Sequence, residues 1–305
     1  MKILVATDKP FAKIAIDGIR QVVEEAGHEL AVLEKYGEKS RLLEAVADAH
    51  ALIIRSDVID NEVIEAAKVL QIIVRAGAGY DNVDLASATA HHIVVMNTPG
   101  QNSNAVAELV FGLLVFMLRN RYNGTSGSEL KGKSIGIHAY GNVGRNVARI
   151  AKGFGMTVYA YDAFCPKEVI EADGTIAVDS AETLYQKSDI VSLHIPATAE
   201  TKKSIGYDLV KNMPEKGILI NTARKEVIDE PGLIRIMQER PGFRYITDIA
   251  PDDKEGFAQF EDRYFATPKK MGAQTAEANI NAGIAAARQI VAYFKDGCEK
   301  FRVNK

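Results

Sequence analysis

The segment at residues 134–162 combines a glycine spacing and a terminal carboxylate that could bind a dinucleotide. An apolar strand is followed by a turn containing Gly141 and Gly144, a helix-period stretch, a second apolar strand and Asp162. In this order, the backbone N–H groups of a glycine-rich turn and the N-terminus of the following helix can approach a pyrophosphate. The pattern therefore predicts a dinucleotide site whose turn comprises Tyr140, Gly141, Asn142, Val143 and Gly144.

Two residues of this segment refine the prediction. Ala139 stands where the strict G-x-G-x-x-G spacing has its first glycine, so the match is incomplete. Asp162 lies 18 residues after Gly144, where a carboxylate accepts hydrogen bonds from the adenosine ribose and repels a 2′-phosphate. We therefore expect NAD rather than NADP. The alternative is that the two glycines only tighten a strand-to-helix turn and that Asp162 only caps it.

The composition of the 305 residues favours a small-molecule partner. Hydrophobic residues make up 47% and charged residues 25%, as in ordinary globular proteins, and the net charge is −3. No more than two Lys or Arg residues are adjacent, so the sequence lacks the basic patch that binds nucleic acid or an anionic membrane. Cys165 and Cys298 lie outside any Cys/His cluster, and we expect neither a disulfide framework nor a metal site.

The apolar runs are short. The N-terminal run has four residues, which is too few for a signal peptide. The longest run, Leu109–Leu118, has ten residues, whereas a membrane-spanning helix needs about 18 or more. We therefore expect a cytoplasmic protein with no membrane partner.

Short β-branched runs alternate with longer helix-period segments along most of the chain, which is typical of an α/β protein with parallel sheets. One series occupies residues up to about 97, and a second starts at Ser134. A long apolar helix at Ser103–Arg119 joins them, and an Ala-rich helix at Thr275–Phe294 follows the second series. We predict two doubly wound parallel-sheet domains, one discontinuous (1–97 and 276–305) and one continuous (98–275).

Four motifs identify a family resemblance over nearly the whole chain. The chain resembles the D-isomer-specific 2-hydroxyacid dehydrogenases, and the segment that begins TPKKMG resembles the short phosphoglycerate dehydrogenases that lack C-terminal regulatory domains. The resemblance implies a Rossmann NAD-binding domain, a flavodoxin-like substrate domain at 1–97 and 276–305, and a homodimer. The motifs are Val74–Asp84, Asn97-Thr98-Pro99 with Val106-Ala107-Glu108, Gly141/Gly144 with Asp162, and Asn221–Arg224.

The implied activity is NAD-dependent oxidation of D-3-phosphoglycerate to 3-phosphohydroxypyruvate, a step of serine biosynthesis. Two alternatives remain. One is a reductase of glyoxylate, hydroxypyruvate or another small 2-keto acid. The other is a non-catalytic NAD-sensing protein with the same fold.

The resemblance places the catalytic arginine on Arg224, whose guanidinium can bind the substrate carboxylate through two parallel hydrogen bonds. The usual glycine after this arginine is Lys225 here. The family's acid/base histidine follows a Thr-Pro pair, but no histidine follows His194 in this chain. A lysine is therefore expected in its place. Counting back from Gly272 selects Lys270, the preferred candidate, and counting forward from Pro268 selects Lys269.

A lysine can accept the C2 hydroxyl proton only when it is neutral, so its pKa must fall toward the working pH. Burial and neighbouring positive charge act in that direction. The family's third catalytic residue, a glutamate, corresponds to Asp253. The alternative is that both lysines form a solvated basic turn or simple phosphate contacts.

The resemblance also implies further ligand contacts. Arg55 and Arg75 correspond to arginines that hold the 3-phosphate, although each could instead form a salt bridge to a helix. The expected cofactor contacts are His194, Pro196, Thr222, Ala223, Asp248 and Val106. The other expected substrate contacts are Ala76, Gly77, Ala78 and Gly79, whose N–H groups face a carboxylate, and Asn102.

Overall fold

The computed structural model describes residues 1–304, and Lys305, the last residue of the predicted segment 276–305, lies outside the described residues. The chain forms two compact units, Met1–Asn102 with Gln274–Lys305, and Ser103–Ala273. The first boundary between the units lies after Asn102, five residues beyond the predicted end at residue 97. The chain after the last strand of the first unit still forms hydrogen bonds within that unit. The N–H of Thr98, for example, donates to the carbonyl of Gly77 at 2.9 Å.

The elements follow one another in a β-α alternation. The strands are β1 Lys2–Thr7, β2 Glu29–Glu34, β3 Ala51–Ile54, β4 Ile72–Arg75, β5 Val94–Asn97, β6 Ser134–His138, β7 Thr157–Tyr161, β8 Ile176–Ala177, β9 Ile190–Leu193, β10 Ile218–Asn221, β11 Arg244–Thr247 and β12 Tyr264–Ala266. The helices are α1 Lys13–Glu25, α2 Lys39–Val46, α3 Asn61–Ala66, α4 Leu85–Ala90, α5 Ser103–Leu118, α6 Asn142–Gly153, α7 Lys167–Ala172, α8 Ala181–Lys187, α9 Tyr207–Val210, α10 Glu230–Glu239, α11 Lys254–Ala258 and α12 Ala276–Asp296.

The first unit is a five-stranded parallel sheet in the order β2-β1-β3-β4-β5, which is the flavodoxin-like order. Helices cover both faces, so strands such as β3 are buried over their full length. On one face α1 and α12 pack closely, because Gly18 lies against Ile284 and Gly283 lies against Ile19. The predicted flavodoxin-like sheet is confirmed.

The second unit is a seven-stranded parallel sheet in the order β12-β11-β10-β9-β6-β7-β8. Counted from β8, this is the Rossmann order 3-2-1-4-5-6 with one further strand. The order reverses between β6 and β9, and ligands of such sheets bind at the carboxyl ends of the strands at this reversal. The predicted Rossmann fold is confirmed.

The two long helices, α5 and α12, begin and end within two residues of the bounds predicted from the sequence. The apolar run Leu109–Leu118 lies in α5, and its Leu113, Leu114 and Met117 belong to the core of the second unit. Across residues 1–304, no helix has both the length and the apolar character needed to cross a membrane.

Candidate active site

The turn after β6 has the geometry of a phosphate-binding loop. Gly141 caps α6, and a Cβ added to it would meet no atom within 4 Å. A Cβ on Gly144 would lie 2.3 Å from the carbonyl oxygen of Ala139, so only glycine permits this packing. Within residues 1–304, the N–H groups of Asn142 and Val143 have no acceptor. They form the open, positively polarised first turn of the helix.

Ala139 adopts φ 79°, a left-handed conformation that favours glycine. The position therefore has the backbone that the first glycine of the motif normally supplies, but it carries an alanine. Tyr140 is buried, and its hydroxyl pairs with Thr175 at 3.0 Å. The side chain of Tyr140 is thus not available for the predicted cofactor contact.

Asp162 follows β7 and holds the turn through its carboxylate. Oδ2 accepts the N–H of Tyr140 at 2.6 Å, and Oδ1 accepts the N–H groups of Phe164 and Cys165 at 2.8 Å each. The carboxylate therefore joins the ends of two adjacent strands. Oδ2 keeps one lone pair for a further donor such as a ribose hydroxyl.

Two buried oxygen atoms at the ends of β10 and β11 have no hydrogen-bond partner within residues 1–304. They are Oγ1 of Thr222 and Oδ1 of Asp248. The other carboxylate oxygen of Asp248 accepts the N–H of Gly272 at 2.9 Å, and Val106 lies against the same glycine. Burial raises the pKa of Asp248, opposed by the charge of Lys270.

Buried polar atoms without partners are costly unless a ligand or water satisfies them. The open helix N-terminus, the glycine packing and these two oxygens therefore fit a dinucleotide. Thr222 and Asp248 would face its nicotinamide half, and Gly141 its pyrophosphate.

His194 and Pro196 follow β9 at the same edge of the sheet. Nε2 of His194 lies 2.9 Å from Oγ of Ser192, and burial lowers the pKa of His194 to about 3. The imidazole is therefore neutral near pH 7. Pro196 is exposed.

The catalytic candidates Arg224 and Lys270 meet at the carbonyl of Ala223. Nη1 of Arg224 donates to this oxygen at 2.9 Å and Nζ of Lys270 donates to it at 2.8 Å. Ala223 is itself fixed, because its N–H donates to Oδ1 of Asn221 at 2.9 Å. Loss of hydration and then the charge of Arg224 lower the pKa of Lys270, while Asp248 opposes the shift.

Lys269 lies differently. Both lysines have exposed surface. Within residues 1–304, however, the side chain of Lys269 forms no hydrogen bond or ion pair. Its carbonyl accepts the hydroxyl of Thr267 at 2.7 Å, and the same hydroxyl lies 2.9 Å from the carbonyl of Asp248. Sequence reasoning missed Thr267 as a support of the lysine loop, although it belongs to the Thr-Pro pair.

Asp253 caps α11, where its Oδ1 accepts the N–H of Gly256 at 2.8 Å. Among the hydrogen bonds and ion pairs of residues 1–304, none joins Asp253 to Lys270, and its catalytic role stays a prediction. The adjacent Asp252 pairs with Lys225 at 2.5 Å. The lysine that replaces the family's glycine thus ties the turn after β10 to the loop after β11.

In the first unit, Arg55 follows β3 and Arg75 ends the neighbouring strand β4. Nε of Arg75 donates to the carbonyl of Arg55 at 3.0 Å. Nη1 of Arg55 donates to the carbonyls of Lys9 and Pro10 at 3.1 and 3.0 Å. Two arginines therefore follow or end neighbouring strands at the carboxyl edge of the first sheet, and the side chain of Arg75 contacts the backbone of Arg55.

In the turn after Arg75, the first two backbone N–H groups already donate to carbonyls of the protein and are not available to a ligand. Those of Ala76 and Gly77 donate to Ile54 and Arg75 carbonyls at 2.8 and 2.9 Å. The N–H groups of Ala78 and Gly79 have no acceptor in the described part of the chain, so they remain available for a carboxylate. Asn102 is half-buried at the end of this segment. Residues 1–304 contain no group of three His, Cys, Asp or Glu side chains placed to hold a metal ion.

Comparison with known proteins agrees with this geometry. Residues 113–264 match the NAD-binding domain of the D-isomer specific 2-hydroxyacid dehydrogenases. A crystal structure of 3-phosphoglycerate dehydrogenase from Entamoeba histolytica with bound NAD+ is 50% identical to this chain. The matched region covers 100% of this chain and 99% of the amoebal chain, and the TM-score is 0.86.

Two curated relatives carry different names. D-3-phosphoglycerate dehydrogenase from Methanocaldococcus jannaschii is 35% identical over 298 residues, covering 89% of this chain and 57% of that enzyme. Hydroxypyruvate reductase from Thermotoga maritima is 34% identical over 281 residues, which cover 86% of this chain and 90% of that enzyme. This chain thus spans little more than half the length of the first relative and nearly all of the second. From fold, site and sequence together, it belongs to the D-isomer specific 2-hydroxyacid dehydrogenases, and its cofactor is NAD.

Proposed function

We propose that this dehydrogenase oxidises D-3-phosphoglycerate to 3-phosphohydroxypyruvate, the reaction that opens serine synthesis. The observation that carries the proposal is the placement of Arg55 and Arg75 at the same edge of the first sheet, where Nε of Arg75 donates to the carbonyl of Arg55. Charge-assisted hydrogen bonds from arginine suit a phosphate, whereas an unphosphorylated 2-hydroxy acid needs no such pair.

Arg224 and Lys270 have complementary roles in this proposal. Arg224 binds the substrate carboxylate and polarises the oxygen on C2. Neutral Lys270 donates one N–H to the carbonyl of Ala223 and uses its lone pair to accept the C2 hydroxyl proton. NAD, when bound, would supply the acceptor for the hydride that leaves C2.

The remaining contacts position the ligands. The turn at Gly141–Gly144 holds the pyrophosphate and Asp162 accepts hydrogen bonds from the adenosine ribose. The free N–H groups of Ala78 and Gly79 add donors for the substrate carboxylate. A homodimer and a cytoplasmic location stay predictions.

A substrate panel tests the proposal. The purified chain would be assayed with NAD and either D-3-phosphoglycerate or D-glycerate, and in reverse with NADH and glyoxylate or hydroxypyruvate. We expect kcat/KM to be at least about tenfold higher for the phosphorylated substrate than for D-glycerate. Equal values would favour the 2-keto acid reductase, and no turnover of any substrate would favour the NAD-sensing protein.

A further inference from the structure

Asn279, in the first turn of α12, contacts the guanidinium of Arg55. Its Oδ1 lies 2.6 Å from Nη2 of Arg55, and its Nδ2 donates to the carbonyl of Thr275 at 2.7 Å. Because the Nδ2 end of the amide is held by a carbonyl, the oxygen faces the arginine. The contact joins residues that lie 224 positions apart in the sequence.

All the groups that hold the Arg55 guanidinium are neutral. Besides the Asn279 amide, they are the carbonyls of Lys9 and Pro10 and the ring of Phe11, whose centroid is 5.1 Å from Cζ. No ion pair of Arg55 is formed within residues 1–304. A guanidinium has five N–H donors, so these three acceptors leave two donors for a ligand. The side chain is thus oriented while its charge stays unpaired.

The carboxylate of Asp57, whose charge acts on Arg55, has other hydrogen-bond partners. It accepts the N–H of Asp8 at 2.7 Å, the hydroxyl of Tyr36 at 2.7 Å and the backbone N–H of Arg55 at 3.3 Å. Burial lowers the pKa of Arg55, and the charge of Asp57 only partly opposes this. A half-buried cation without a paired anion favours binding of an anionic ligand.

We propose that Asn279 is a specificity-determining residue of the phosphate site, because its neutral amide orients the Arg55 guanidinium without cancelling its charge. The inference rests on the proposed function, in which Arg55 binds the 3-phosphate. Asn279 does not touch the reacting atoms. It acts through Arg55 and is therefore a positioning residue.

Asn279→Asp tests the charge argument directly. The carboxylate is nearly the same size and still accepts from Arg55, but it forms an ion pair and competes with the phosphate. We expect the KM for D-3-phosphoglycerate to rise about tenfold or more, with kcat and the KM for D-glycerate nearly unchanged. Inorganic phosphate should also bind more weakly to this variant. Asn279→Ala removes the group that orients Arg55 but adds no charge. It should therefore raise the KM for D-3-phosphoglycerate by a smaller factor.

Asn281→Asp is the matched control, because it makes the same charge change two residues further along α12 at an exposed position. It should leave both KM values unchanged. Thermal unfolding of each variant would show that the fold is retained.

Equal changes of KM for both substrates in Asn279→Asp would mean that Asn279 is only structural, and the inference would be wrong. An unchanged KM for D-3-phosphoglycerate would overturn it as well. If the wild type has no preference for the phosphorylated substrate, the proposed function fails. Titration calorimetry with inorganic phosphate still decides the inference in that case: weaker binding by Asn279→Asp supports it, and equal binding or no binding by the wild type overturns it.

Discussion

Lys270 and Arg224 donate to one acceptor, the carbonyl oxygen of Ala223, at 2.8 and 2.9 Å. A single carbonyl thereby fixes the positions of both cationic groups. Because arginine stays charged at all relevant pH values, its proximity favours the neutral form of the lysine. The arrangement places a proton acceptor beside a permanent positive charge.

The rate of oxidation should depend on pH through Lys270. An ammonium cannot accept a proton, so kcat should rise with pH up to the lowered pKa of Lys270, which lies below that of free lysine. Lys270→Ala should lower kcat by roughly 10²- to 10⁴-fold and leave NAD affinity nearly intact. The measurement is a pH series of kcat for the wild type and the variant.

Lys269→Ala is the control for this prediction and should have much less effect. Lys270→His should restore part of the activity and move the rising limb of the profile to lower pH, since imidazole has the lower intrinsic pKa. Loss of activity in Lys269→Ala alone would assign the base to Lys269. Full activity in both alanine variants would exclude lysine as the base.

Asp162→Ala should change cofactor preference. The variant loses the ribose acceptor and the charge that repels a 2′-phosphate, so binding of NAD should weaken and discrimination against NADP should relax. The carboxylate also accepts three backbone N–H groups. A purely structural effect would weaken NAD and NADP alike, so the informative quantity is the ratio of their Kd values. An unchanged ratio would contradict the assigned role.

Arg55→Ala or Arg75→Ala should raise the KM for D-3-phosphoglycerate by about 10- to 100-fold, since each removes a charge-assisted contact. The KM for D-glycerate should change much less. Arg41→Ala, at an exposed position on α2, is the charge-matched control and should affect neither. Equal losses on both substrates would count against a phosphate site.

Ala139→Gly should stabilise the protein, because Ala139 has a φ of 79°. A left-handed alanine costs about 1 kcal/mol, which glycine avoids. We expect the unfolding midpoint to rise by roughly 2–4 °C. Ala160→Gly, at a buried position of β7, should lower it instead. A lower midpoint for Ala139→Gly would show that the left-handed alanine is not strained.

The sequence predicted both sheets because alternating apolar runs and helix periods are local signals. It also selected Gly141 and Asp162, since their roles depend on spacing within one βαβ unit. The contact between Asn279 and Arg55 could not be predicted in this way, because it exists only after the last helix returns to the first sheet. The shared acceptor at Ala223 depends likewise on how the loop after β12 folds back.

The first unit contains two segments, Met1–Asn102 and Gln274–Lys305, which are separated in the sequence by the whole second unit, and this affects how the protein can fold during synthesis. A ribosome makes Ser103–Ala273 as one uninterrupted segment, which can fold as soon as it emerges. The earlier residues Phe11 and Ile19 lie against Gly283 of α12 in the finished protein. Until α12 emerges, this apolar surface has no cover. Of these two segments, Met1–Asn102 is therefore the one that waits longest for its packing partner and is the more prone to misfold meanwhile.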